Sequence, residues 1–330
     1  MKTRISLILH AIVMLLSMLA CNQKQPDDVT VKIYALNGTT GFGMAKMMSD
    51  NNNSTAETKP YEFTVKADAS DVTAALINGD ADIAALPTNA AANVYQKTNG
   101  GVEILAVNTL GCLYLLTTDG SAITSFEDLR GKTVYVPAQN PTFIFKYLCQ
   151  ENGLTVGTDI TIDNQYAQPA ALKDAVAGGS VAIAVLPEPM VTIATNAGKQ
   201  NGVTVSNVMD LSAEWDKVST EGVLVQGCVV VRKEFLQAHP EAVEKFLTEY
   251  KDSIAYLSTN LDDAAQMIVD NGIFTNAAVA KKAIPYCNVC YMDGAEMKSA
   301  MQNYLSILYT IAPASVGNAL PGDDFYYTAK

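Results

Sequence analysis

Glu188 stands between Pro187 and Pro189, a carboxylate stiffened on both sides by rigid neighbours. Elsewhere, loop-like stretches carry Asn37, Thr39 and Thr40, then Thr88 and Asn89, then Gln139, Asn140 and Thr142, with Asn108 and Glu221 in two further segments. Amides and hydroxyls offer directional hydrogen bonds without charge, and Gly38 allows close backbone approach. Phe42, Phe143 and Tyr166 lie near these stretches and offer rings for stacking. Such a set holds a small molecule rather than converting it. The same Asn and Thr residues also suit the helix starts they precede, so each is a capping candidate as well as a contact candidate.

Catalysis lacks its usual parts. Beyond the first 20 residues the one histidine is His239, in "LQAHPEAV", which reads as a helix start. Nucleophilic triads are hard to build from that. Cys287-x-x-Cys290 is half of a tetrahedral metal site with no second ligand pair, so neither a metal nor any other cofactor is expected. Cys112, Cys149, Cys228, Cys287 and Cys290 form an odd set, read as buried thiols or an incidental disulfide.

The elements that must position these residues are written twice. "ALINGDADIAALP" (Ala75–Pro87) returns as "DAVAGGSVAIAVLP" (Asp174–Pro187), and at an offset of 100 Ala75/Ala175, Gly79/Gly179, Ile83/Ile183, Ala84/Ala184, Leu86/Leu186 and Pro87/Pro187 coincide. Each copy closes a series of strand, helix, strand, helix, strand. In the first, "VKIYAL", "MAKMMSDN", "YEFTVKA" and "DVTAALINGD" precede "ADIAALP". In the second, "KTVYVP", "FIFKYLCQENG", "ITIDNQYA" and "QPAALKDAVAGG" precede "VAIAVLP". Strands alternating with helices predict an α/β fold of two lobes, each a mostly parallel sheet flanked by helices. The runs Val102–Asp119 and Gly222–Phe235 read as the two crossings between lobes, and everything after Glu234 reads as helical and packs back on the first lobe. Ligands of such sheets sit beyond the strand C-termini, at helix N-termini. The polar residues named above fall at those positions.

At the N-terminus, Lys2 and Arg4 precede the apolar "ISLILHAIVMLLSMLA" and Cys21. That is an export signal over residues 1–20, with Cys21 placed as the acylated cysteine of a lipoprotein and "NQKQPDD" as a tether over 21–28. The formal net charge of −12 becomes −14 once Lys2 and Arg4 are gone. This acidity argues against nucleic acid and against a polybasic membrane grip.

"INGDADIAALP" (Ile77–Pro87), "SFEDLRGKTVYVP" (Ser125–Pro137), "AVLPEP" (Ala184–Pro189) and "VRKEFLQAHPEAVEKFL" (Val231–Leu247) resemble type II periplasmic substrate-binding proteins of ABC importers, in the nitrate/sulfonate/thiamine-precursor branch. The resemblance implies a two-lobed fold, with lobe 1 over 29–110 and 224–330 and lobe 2 over 111–223. It also implies a monomeric, lipid-anchored receptor, exported and facing the periplasm or cell exterior, which closes over a small solute and hands it to an ABC permease and its ATPase. The chain departs from some relatives by lacking arginine or lysine in the cleft loops. With the two carboxylates Glu188 and Glu221 present, that favours a neutral or amine-bearing small heterocycle such as a thiamine-pyrimidine precursor. A small anion (sulfonate, nitrate or bicarbonate) held by helix N-termini is the alternative. A pyrimidine-precursor-synthase-like enzyme stands further off, because its cysteine-rich motif and histidines are missing.

Overall fold

The computed structural model describes residues 29–57, 59–219 and 222–328. The predicted export signal, tether and Cys21, and Glu221 among the site candidates, lie outside the described residues.

The two copies of the repeat build two sheets. The first contains β1 (Val31–Leu36), β2 (Tyr61–Lys66), β3 (Ile83–Pro87), β4 (Val102–Leu110), β10 (Val225–Arg232) and β11 (Val289–Met292), in the order β11-β4-β10-β3-β1-β2. The second contains β5 (Leu113–Thr117), β6 (Thr133–Tyr135), β7 (Thr161–Asp163), β8 (Ile183–Pro187) and β9 (Ser206–Asp210), in the order β7-β6-β8-β5-β9. In each sheet the repeat strands pair in parallel and one crossing strand enters antiparallel: β10 beside β3 and β4, and β5 beside β8 and β9. The architecture is therefore α/β, with two mixed sheets whose repeat strands run parallel.

Alternation along the strands explains why both faces of the first sheet are covered. On β3, Ile83 and Ala85 enter one core cluster while Ala84 and Leu86 enter the other; on β10, Val229 and Val231 alternate with Cys228 and Val230 in the same way. The helices supply the opposing apolar surfaces. They are α1 (Thr39–Phe42), α2 (Ala45–Asn53), α3 (Ala69–Asn78), α4 (Thr88–Lys97), α5 (Asn140–Glu151), α6 (Pro169–Ala177), α7 (Met190–Asn201) and α8 (Leu211–Val218), followed by α9 (Lys233–Ala238), α10 (Pro240–Thr259), α11 (Leu261–Asp270), α12 (Ala277–Ala283) and α13 (Gly294–Ile311). No helix among the described residues is long and apolar enough to cross a membrane.

Three details differ from the sequence reading. The run Val102–Asp119 is two strands in different sheets, with the change of sheet at Gly111–Cys112. The tail is not wholly helical: Val289–Met292 pairs antiparallel with β4 as an edge strand, because "VCYM" has the β-branched and aromatic content that suits a sheet edge. The tail also reaches beyond the first sheet. Met297, Met301, Tyr304, Leu305 and Leu308 of α13 are buried in the same cluster as Phe145 and Trp215 of the second-sheet region, so one apolar block spans both halves.

Candidate ligand-binding cleft

The residue before the helix that follows the first strand has a similar backbone in both halves. Gly38 precedes α1 at φ 87°, ψ −156°, and Gln139 precedes α5 at φ 65°, ψ −133°. Glycine accepts this region freely; glutamine is strained there. Gln139→Gly is expected to raise stability by about 1 kcal/mol, the released strain being partly offset by the extra freedom of the unfolded glycine. A melting curve showing lower stability would remove strain from the account of this loop.

The loops after the strands of the two sheets meet. The Thr39 hydroxyl donates to the Glu188 carbonyl at 2.8 Å, and the Glu188 N–H donates to the Cys112 carbonyl at 2.9 Å. The Glu188 side chain is only 5 % exposed. Its carboxylate accepts from the Thr192 N–H at 3.1 Å and the Thr192 hydroxyl at 2.9 Å. It therefore caps the first turn of α7, where a negative charge is favourable. Burial pushes its pKa up and the Thr192 bonds hold it down. Glu188 is neither a solvated charge nor, among the ion pairs of the described residues, a member of a salt bridge.

A second junction lies at the starts of α4 and α5. The Tyr304 hydroxyl donates to Asn140 Oδ1 at 2.7 Å and also meets the Thr88 side chain. The Thr88 hydroxyl in turn donates to the Val225 carbonyl at 2.9 Å. Two long helices from opposite halves thus bring their N-terminal ends to one buried phenol. Beside them Asn89 Oδ1 is buried without a hydrogen-bond partner, an acceptor that awaits a donor.

The other candidates separate by their partners. The Asn108 side-chain amide donates to the Tyr250 hydroxyl at 3.0 Å and the Thr40 carbonyl at 3.2 Å, and its oxygen accepts from Thr109 at 3.0 Å. Thr142 donates to the Pro137 carbonyl at 2.7 Å and accepts from Asn164 at 2.8 Å. Both sit in satisfied networks that fix loop shape. Asn37 and Gln139 are exposed, and Thr40 is half-buried. Phe42 is a core ring against Phe274, and Tyr166 packs on Tyr135, which leaves Phe143, half-buried, from the expected aromatic wall.

Sequence reading missed Tyr304, because one tyrosine in an amphipathic helix looks like core. It also missed Tyr286, whose side chain is 56 % exposed and whose carbonyl accepts from the Tyr114 hydroxyl at 3.0 Å. Among the described residues no group of His, Cys, Asp and Glu is arranged to hold a metal.

The fold agrees with comparison to known proteins. A family model described as the periplasmic substrate-binding protein of phosphonate ABC transporters matches residues 45–279. The chain belongs to this family. It is accordingly the exported substrate-binding component of an ABC importer, a class that binds a small molecule and works with a permease and an ATPase. The binding protein shares its fold with solved structures at low identity. An ABC transporter protein from Parabacteroides distasonis is 21 % identical, with a TM-score of 0.76 over 91 % of this chain and 99 % of that one. The ligand-binding component of an ABC-type import system from Staphylococcus aureus, with zinc bound, is 15 % identical, with a TM-score of 0.68 over 92 % and 97 %. The periplasmic aliphatic sulphonate binding protein SsuA from Escherichia coli is 14 % identical, with a TM-score of 0.65 over 85 % and 87 %. No curated protein sequence matches the chain.

Proposed function

We propose that this binding protein captures a small amine-bearing acid, its anionic head at the starts of α4 and α5 and its amine beside Glu188. One observation carries the reading. Two long-helix N-termini from opposite halves converge at Tyr304, while among the described residues the loops that meet through Thr39 and Cys112 carry the Glu188 carboxylate. Helix N-termini hold anions through free N–H groups without any lysine or arginine. A buried carboxylate whose charge is disfavoured by its surroundings gains most from an ammonium partner. The anionic head relates this ligand to the sulphonate in the name of the Escherichia coli relative and to the phosphonate in that of the family. Glu188, Thr39, Thr88 and Asn140 are the proposed contacts, and the unpaired Asn89 Oδ1, an acceptor, takes a donor of the ligand rather than its anionic head.

A flat amine-bearing heterocycle, such as a thiamine-pyrimidine precursor, is the second reading, favoured by the exposed ring of Tyr286 next to Cys287. At the N-terminus, Cys21 carries the lipid in this proposal, which intact-mass measurement of membrane-extracted protein tests.

Calorimetry with taurine, a 2-aminoalkylphosphonate, an alkylsulfonate and the thiamine pyrimidine tests the ligand class. The amine-bearing acids should bind, and Glu188→Gln should weaken them at least tenfold while an alkylsulfonate is little affected. The pH dependence has a definite sign. The folded pKa of Glu188 is raised, so its carboxylate takes up a proton as pH falls through a window above the ordinary carboxylate value. Taurine affinity should therefore drop as pH is lowered through that window, and alkylsulfonate affinity should not. Binding of the heterocycle alone would transfer the assignment to the second reading.

A further inference from the structure

Cys112 and Cys287 are 175 positions apart in the chain, yet both are buried free thiols in the neighbourhood of the Thr39 side chain. The backbone explains their approach. β11 pairs with β4 with Val289 opposite Thr109, the Leu110 N–H donates to the Asn288 carbonyl at 3.0 Å, and the Asn288 amide side chain donates to the Gly111 carbonyl. The chain at 110–112 therefore runs directly beside 287–288. Cys287 is completely buried and Cys112 nearly so. Cys290, the partner that C-x-x-C spacing suggests for Cys287, instead directs its sulfur at the Val107 carbonyl, 3.9 Å away.

We infer that Cys112 and Cys287 are a disulfide-forming pair that ties the change of sheet at Gly111–Cys112 to the C-terminal segment of the first lobe. The family is periplasmic, and disulfides form and persist in that kind of compartment. The co-reactant is an exchangeable disulfide of a thiol oxidant. The two cysteine thiols lose two protons and two electrons and become joined, while the oxidant's disulfide takes them up and leaves as two thiols. Burial pushes the Cys112 thiol up to about 12 and that of Cys287 upward as well, so neither is a nucleophile in the folded state. The bond forms during folding, before the thiols are covered, and a reductant reaches it when the protein opens on heating. Formation leaves the Thr39 hydroxyl donating to the Glu188 carbonyl, the link between loops of the two sheets.

The test is peptide mapping of full-length protein exported by its host, denatured and alkylated without reduction. A disulfide-linked peptide pair containing Cys112 and Cys287 is expected. The melting temperature should fall by roughly 5–10 °C in excess dithiothreitol, for a bond closing so long a loop, and Cys112→Ser should melt at the reduced value whether or not dithiothreitol is added. Recovery of all thiols as alkylated cysteines would overturn the inference, and so would a Cys287–Cys290 link. These readouts need no ligand, so they stand or fall apart from the proposed ligand class.

Discussion

Asn140→Asp should lower the affinity for taurine or a 2-aminoalkylphosphonate about 100-fold while leaving the fold intact. The substitution is nearly isosteric, and Tyr304 can still donate to the new carboxylate as it now does to Asn140 Oδ1 at 2.7 Å. An acid in the first turn of α5 is also compatible with the helix dipole. What changes is the charge at the convergence of two helix N-termini. Two like charges about 4 Å apart at an effective dielectric of about 20 repel by about 4 kcal/mol, and part of that is offset by the dipole. A net loss of about 2.7 kcal/mol is about two decades in Kd. Calorimetry on the variant decides the matter. Stronger binding of the amine-bearing heterocycle would point to a cationic ligand at this junction, and unchanged binding of every probe would place Asn140 outside the site.

Trp215→Ala should destabilise the protein by about 3–5 kcal/mol, the range for large aromatic truncations in a core. Trp215 is 1 % exposed. Its ring lies 4.7 Å from Tyr147 and 5.7 Å from Tyr304 by centroids, and its indole N–H donates to the Gly222 carbonyl at 3.1 Å. Truncation opens a cavity in the one apolar block shared by both sheets and leaves the Gly222 carbonyl without that donor. Denaturant unfolding followed by circular dichroism measures the loss. A cost below about 1 kcal/mol would mean that α13 and α8 are not packed as tightly as the ring contacts indicate.

The fold was legible because each of its parts is local. The repeat at an offset of 100, the apolar runs ended by Pro87 and Pro187, and the glycine stops after α3 and α6 each depend on a few neighbouring residues. Together they imply two equivalent α/β halves. Where local signals were weak, the reading slipped. Ser206–Asp210 shows little alternation, Leu211–Val218 is a two-turn helix whose Leu211, Trp215 and Val218 spacing is easily passed over in so short a segment, and Val289–Met292 becomes a strand because β4 is there to pair with it.

The candidate loops were legible too, since ligand loops of such sheets follow the strand ends, and Thr39, Thr88, Asn140 and Glu188 stand at those ends. By itself, then, the sequence determined two α/β halves, the loops at their strand ends, and a set of neutral side chains with two carboxylates, Glu188 and Glu221. Only the tertiary structure decided the partners: that Glu188 caps its own helix through Thr192, that Asn108 and Thr142 are consumed by structural networks, that Tyr304 joins the two helix starts, and that Cys112 lies beside Cys287 rather than Cys287 pairing with Cys290. The reason is physical. Backbone propensity and hydrophobic period act over a few residues, whereas a hydrogen-bond partner or a neighbouring thiol is set by which elements pack together, here across as many as 175 positions of chain.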